Sequence, residues 1–177
     1  MKIAQLNSYF FLFIFTIILV ACGTSNEDKE SDPEKIDWKA RELSYTLTDS
    51  NLVSGKSYLS IYSQVYSQTE HNTRDLTVTV SIRNPNDTDT LFLNSVKSYD
   101  TEGLEIKSYV GKTSYVRPME TLELVISEEN THNGTGGNFI FDWQIQSKSS
   151  EPIFEAVMIS TAGQQGISFV TTAKRIK

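Results

Sequence analysis

Two histidines, His71 and His132, and one cysteine, Cys22, limit the chemistry open to this chain of 177 residues. His132 has Glu128 and Glu129 close by in sequence. A zinc site needs three or four ligands, so this group would need help from a distant strand. A Ser-His-Asp arrangement is recognised by geometry and not by chain order. An envelope hydrolase using His132 with a carboxylate such as Asp142 or Glu155 therefore stays open as the alternative reading. A single cysteine excludes an intrachain disulfide and any multi-cysteine metal centre. No cofactor and no metal are expected.

Other residue groups have a binding reading beside a structural one. Asn84, Asn86, Asp87 and Asp89 place hard oxygen donors close together, but Asp89 stands where a calcium-binding loop needs glycine, and the group also reads as a turn. Gly134, Gly136 and Gly137 lack the lysine and hydroxyl of a phosphate-binding loop, and a dinucleotide fingerprint would need glycine at Phe139. They read as a flexible turn. Tyr58, Tyr62 and Tyr66 share one parity of a strand, opposite Leu59, Ile61 and Val65, and form a stripe suited to cross-strand pairing or to stacking on a sugar or partner. Gln164 and Gln165, between Gly163 and Gly166, suit a hairpin or a recognition loop. Candidate contact residues are His132, Asn138, Gln164, Gln165 and Tyr62. The expected interaction surface is the sheet end that carries residues 130–137 and 163–166, on the assumption that the strands following them run parallel. Convergence of Asn138, Trp143 and Gln164 on a cavity would mark a site.

The elements that must position these residues are strands. Leu76, Val78, Val80 and Ile82 alternate with Thr77, Thr79, Ser81 and Arg83, the pattern of a sheet with one wet face. The same alternation recurs at Leu122, Leu124 and Ile126, at Leu104 and Ile106, and at Phe139, Phe141, Trp143 and Ile145. Residues 154–159 are apolar on both parities, which predicts a central strand. Leu59, Ile61 and Val65 predict an early strand, Ile167, Phe169 and Val170 a last one, and residues 43–47 a further candidate. Turn residues fall between the runs, at Asn84-Pro85-Asn86-Asp87 and at Asp100-Thr101-Glu102-Gly103. The fold class is all-β: an antiparallel sandwich of about eight or nine strands, similar to the immunoglobulin and fibronectin types, with Trp143 in its core.

The start of the chain reads as an address and an anchor. Lys2 precedes an apolar run over residues 9–22, shorter than the roughly 17 residues a spanning helix needs, which is the pattern of a secretory signal. It ends in Leu19-Val20-Ala21-Cys22, which resembles a bacterial lipobox. That resemblance implies diacylglycerol transfer to Cys22 and cleavage before it. Acyl chains add roughly 0.8 kcal/mol of membrane affinity per buried CH₂. Residues 23–37 carry six acidic side chains against Lys29 and Lys35 and have no large apolar residue before Ile36, so they cannot bury enough surface to order themselves. The expected organisation is a signal peptide at 1–21, a lipidated Cys22 with an acidic flexible tether at 22–39, and a β-sandwich at 40–177. Gly23 after the cysteine, in place of an inner-membrane retention aspartate, points to the outer membrane where the cell has one.

The charge balance is 16 Lys+Arg against 22 Asp+Glu, a net −6. That excludes a general nucleic-acid partner, which requires clustered cations, and favours neutral or basic ones. Three stretches carry a family resemblance: YLSIYSQVY at 58–66, LTVTVSIRN at 76–84, and GGNFIFDW at 136–143 followed by EAVMISTAGQQGISF at 155–169. In this order and spacing the chain resembles the bacterial domain-of-unknown-function family 3124 over about residues 57–172. Members are typically exported or lipid-anchored, and the resemblance supplies no catalytic residues. The resulting expectation is an envelope lipoprotein whose non-enzymatic sandwich binds or interacts. Its partners are the bilayer, through acylated Cys22, and an envelope protein or a glycan. A purely structural envelope component is the other alternative.

Overall fold

The computed structural model describes residues 36–128, 134–161 and 166–177, all within the compact unit Lys35–Lys177. Cys22, His132, Gln164 and Gln165 lie outside the described residues, as do the signal and most of the tether. The first strands are β1 (Leu52–Ile61), β2 (Gln64–Ser67), β3 (Thr69–Asp75) and β4 (Thr77–Arg83). Next come β5 (Leu91–Tyr99), β6 (Glu105–Ser108), β7 (Ser114–Val116) and β8 (Thr121–Ile126). The last are β9 (Gly137–Gln146), β10 (Ile153–Ser160), β11 (Ile167–Thr172) and β12 (Lys174–Arg175). Apart from a 3-10 turn at Lys39–Arg41, the described residues form no helix.

All pairing is antiparallel. The first sheet runs β12-β1-β9-β5-β6 with β7 also on β5, the second runs β11-β10-β4-β8, and β2 and β3 form a separate ribbon. Alternation puts Leu59, Ile61, Phe139, Phe141, Trp143 and Ile145 of the first sheet on the buried side. Val78, Val80, Ile82, Leu122, Leu124, Phe154, Ala156 and Met158 of the second sheet are buried likewise. The two layers meet where the Phe141 ring stacks on Phe154, with centroids 4.1 Å apart. Each such side chain, taken out of water, contributes about 1.5–3 kcal/mol.

Trp143 shows why the sheet needs one particular glycine. It is 1% exposed, sits directly opposite Gly55 in the β1–β9 ladder, and lays its ring where a Gly55 side chain would stand. A Cβ there would meet the ring carbon Cζ2 at 2.2 Å. The indole Nε1 donates to Ser57 Oγ at 3.0 Å, which satisfies its only polar atom, and the Arg175 guanidinium covers the ring at 5.2 Å.

Several elements depart from the pattern read in the sequence. Residues 43–47 are not a strand; Leu43 N–H donates to Thr113 C=O at 2.8 Å and Glu42 bridges Ser114, so this segment covers the open side of β7. The strand β5 escapes period-two reading because a bulge at Asn94 shifts its buried set from Leu91 and Leu93 to Val96 and Ser98. The early strand ends at Ile61. A buried Ser63 turns the chain, so Val65 belongs to the ribbon. Leu104 and Ile106 alternate yet stay exposed, because β6 is an outer strand with no buried residue. The described residues form twelve strands against the eight or nine expected, since β7 and β12 are too short to carry a periodicity, β5 is bulged, and β2 and β3 form a ribbon separate from β1.

Trp143→Ala is expected to cost about 3–5 kcal/mol by cavity formation, and Gly55→Val about 1–3 kcal/mol by overpacking the same spot. Urea denaturation of each variant checks both figures, and a near-neutral Gly55→Val would mean the ring moves freely.

Candidate functional site

The end of the sandwich formed by the 84–90 turn is a closed polar network. Asn84 is buried. Its Nδ2 donates to the carbonyls of Asp89 (2.7 Å), Arg117 (3.0 Å) and Val116 (3.2 Å). Its Oδ1 accepts from Asn86 N–H at 3.1 Å and Asn86 Nδ2 at 2.9 Å. Asp89 Oδ2 accepts from Ser149 Oγ at 2.7 Å. The side-chain oxygens of Asn84 and Asp89, two of the candidate cation donors, are thus engaged in protein hydrogen bonds.

The tyrosine stripe is broken into three places. Tyr58 lies on the outer face of β1 beside Ile140 and Lys174. Tyr62 lies in the corner after β1 and packs edge-on against Phe169 at 5.9 Å. Tyr66 projects from the ribbon opposite Thr73. The break at Ser63 is the cause, since three residues share a face only while the strand continues.

Asn138 and Trp143 have opposite parity in β9, so they point to opposite faces of the first sheet and do not converge on one cavity. Asn138 sits between Ser60 and Tyr99. The two carboxylates weighed as partners for His132 lie on the two opposite outer faces. Asp142 pairs with Lys56 at 3.1 Å on the first sheet, and Glu155 with Arg83 at 3.4 Å on the second. His71 is exposed on the ribbon, 3.4 Å from Glu70.

At the opposite end, Gly134 has φ +60° and its carbonyl accepts from Ser63 Oγ and Gln64 N–H, both at 3.2 Å. Gly136 N–H donates to Thr101 Oγ1 at 3.1 Å. These described glycines are tied to two neighbouring loops. Both β9 and β12 run antiparallel to β1, and β12 continues β11. So β9 and β11 run the same way, and Gly137 and Ile167 start at one end. The loop segments 129–133 and 162–165 lie outside the described residues.

Ile36 and Trp38 rest against the core. Beside them Arg41 grips Glu120 with two bonds, 2.7 and 2.9 Å, while the Glu120 carboxylate also accepts Arg117 N–H at 2.7 Å. The Arg41 bond, partly offset by burial, holds the Glu120 carboxyl below the usual glutamate range. The same bond raises Arg41.

The surface that the residue pattern did not anticipate is the outer face of the second sheet. Residues 154–159 read as apolar on both parities, with Glu155 the exception, but only Phe154, Ala156 and Met158 of them are buried. Ile153 (39% exposed), Val157 (37%) and Ile159 (42%) face water. Val157 pairs with Val170 on one side and Thr79 on the other, and Thr79 pairs with Val125. Val170 is 58% and Val125 50% exposed, so a β-branched row crosses all four strands. The signal was the second apolar parity, which reads as burial until it is known that only one sheet covers the strand.

Compared with known proteins, a family model described as a protein of unknown function (DUF3124) matches residues 54–176. No curated protein matches this chain. Among solved structures, a crystal structure of Thermotoga maritima 1070 is similar with 8% identity and a TM-score of 0.42, over 68% of this chain and 92% of that one.

Two outcomes are expected. Glu120 with a lowered value contributes stability that is complete above the ordinary glutamate value of about 4.3 and disappears as pH falls through its lower folded value. Wild type should therefore lose more stability below that pH than Glu120→Gln, as read by denaturation at a series of pH values. Replacing Val125, Val157 and Val170 together by threonine should change stability by only about 0.5 kcal/mol per site while lowering the binding of an apolar dye. A large loss of stability would place this face in the interior.

Proposed function

This chain belongs to the DUF3124 family of unknown function, and from that footing we propose a membrane-anchored lipoprotein of the bacterial envelope whose β-sandwich is a non-enzymatic interaction domain. The anchor is acylated Cys22, motivated by Leu19-Val20-Ala21-Cys22. The acidic stretch after it is the tether, and the location is the outer membrane where the cell has one. The observation that supports interaction is the aliphatic row Val170, Val157 and Val125 with Ile159 and Ile153 beside it, all exposed on one sheet face. Exposed apolar side chains grouped on one face, here interrupted by Thr79 and the Glu155–Arg83 pair, are the kind of surface used for association. The partner is an envelope protein with a neutral or basic surface, because the chain is acidic.

The hydrolase alternative gains no support. Two of its candidate carboxylates, Asp142 and Glu155, are ion-paired on opposite faces of the sandwich, and His132 lies outside the described residues. A glycan partner would use the other face, where Asn138 lies opposite Tyr99 and Tyr58 stands in the next outward row, opposite Ile140.

Mass spectrometry of the amino-terminal peptide should find acyl mass on Cys22, and Cys22→Ala should release the protein from the membrane fraction. Crosslinking in intact envelopes should capture a partner that Val157→Asp with Val170→Asp fails to capture. An unmodified Cys22 overturns the anchor. A partner retained by the double variant moves the interaction off this face.

A further inference from the structure

The sheet margins are unequal. On the first sheet, β6 has four residues and an irregular register against β5 and carries Glu105 and Lys107. The free side of β7 is covered by Glu42 and Leu43. On the second sheet, β11 turns across the side of the sandwich. Thr171 Oγ1 donates to Ser60 C=O at 2.6 Å, Tyr62 packs on Phe169, and the chain goes on into β12 of the first sheet. These are the usual ways in which proteins blunt an edge.

The strand β8 carries one exposed charge, Glu123, and none of the other devices. Its six residues, TLELVI, pair with β4 without a register shift and contain no proline, glycine or lysine. The bond from Asn84 N–H to Glu120 C=O, 3.0 Å, sets the phase of the ladder. Bonded pairs alternate in an antiparallel ladder, so Leu122, Leu124 and Ile126 bond to β4. The N–H and C=O groups of Thr121, Glu123 and Val125 therefore point away from the sheet. Among the described residues none of these groups has a backbone partner outside the strands.

We propose that the β8 edge is a strand-addition site for an extended segment of a partner protein that places a lysine or arginine opposite Glu123 and an aliphatic residue opposite Val125. The inference rests on the interaction reading above and adds where and how the partner pairs. Main-chain bonds to Thr121, Glu123 and Val125 supply attachment, and alternate side chains supply selection. Glu123 is exposed and faces Ser81, whereas Glu155 in the same row is already paired with Arg83. A cation opposite Glu123 completes a cross-strand pair, and an anion is repelled. The chain's own tether does not fit, because Lys29 or Lys35 set against Glu123 in antiparallel pairing would put Glu27 or Pro33, not an aliphatic residue, against Val125. A second β8 is disfavoured too, since it offers no cation in any register. Val125 ends the aliphatic row, and an added aliphatic residue extends it.

The test uses the full chain, purified in detergent, and a fluorescent blocked peptide, Val-Ile-Val-Lys-Val-Thr. Paired antiparallel, it sets lysine against Glu123 and isoleucine against Val125. It should bind saturably, and the same peptide with glutamate for lysine should bind about fivefold more weakly. Hydrogen exchange on the wild type should show the amides of Thr121, Glu123 and Val125 fast in the free protein and slowed by the peptide. Val125→Pro removes only an outward N–H and should abolish binding with its thermal transition kept. Three results would overturn the proposal: no slowing of those amides, equal binding of both peptides, or slowing in the protein alone that grows with its concentration, which would make the occupant a second copy. The measurement needs neither acylation nor an envelope partner, so it fails or succeeds separately from the anchor and the crosslinking.

Discussion

One buried amide, Asn84, decides how the second sheet is framed. Asn84 stands where the chain leaves β4, and its side chain binds the carbonyl of Asp89, just before β5, and those of Val116 and Arg117, where the chain leaves β7 toward β8. A buried polar group without partners would be costly, so these three segments must come together for Asn84 to be inside at all. Once they do, Asn84 N–H meets Glu120 C=O and the register of β8 on β4 follows. From that register follow the inward set Leu122, Leu124 and Ile126 and the outward set Thr121, Glu123 and Val125. The surface chemistry of this sheet is therefore downstream of a polar contact.

The two outer faces have different characters. The first sheet carries charged and amide residues in partnered positions, such as Lys56 with Asp142 and Gln144 with Ser54. The second carries a β-branched row and little charge beyond Arg83, Glu155 and Glu123. Water solvates the first without penalty. The second keeps aliphatic area exposed, which a protein selected only for solubility would replace.

Much of the fold was legible because a sandwich writes itself as alternation. Residues 76–82, 122–126 and 139–145 read correctly as half-buried strands, and Trp143 as core. The losses came from places where period two is interrupted. Asn94 bulges and hides β5, Ser63 turns the chain and scatters the tyrosines, and β6 alternates on an outer strand with nothing to bury against. Gly55 gave no signal, since its need arises from a tryptophan far along the chain. The candidate site was less legible. Asn138 is placed, but on the face opposite Trp143. Tyr62 is at a corner with Phe169, and the aliphatic face was visible only as a second apolar parity.

The way the chain enters the domain has a mechanical meaning. Before β1, residues 36–43 touch the rest through Trp38 packing, the Arg41–Glu120 grip and the Leu43–Thr113 bond. Any pull on the chain ahead of Ile36 loads these contacts before it loads a sheet. They cover the side of β7 and take no part in the β1–β9 ladder or the Phe141–Phe154 stack. Residues 36–43 thus form a lead-in held by packing, one ion pair and isolated main-chain bonds, ahead of the continuous ladders that hold the sandwich.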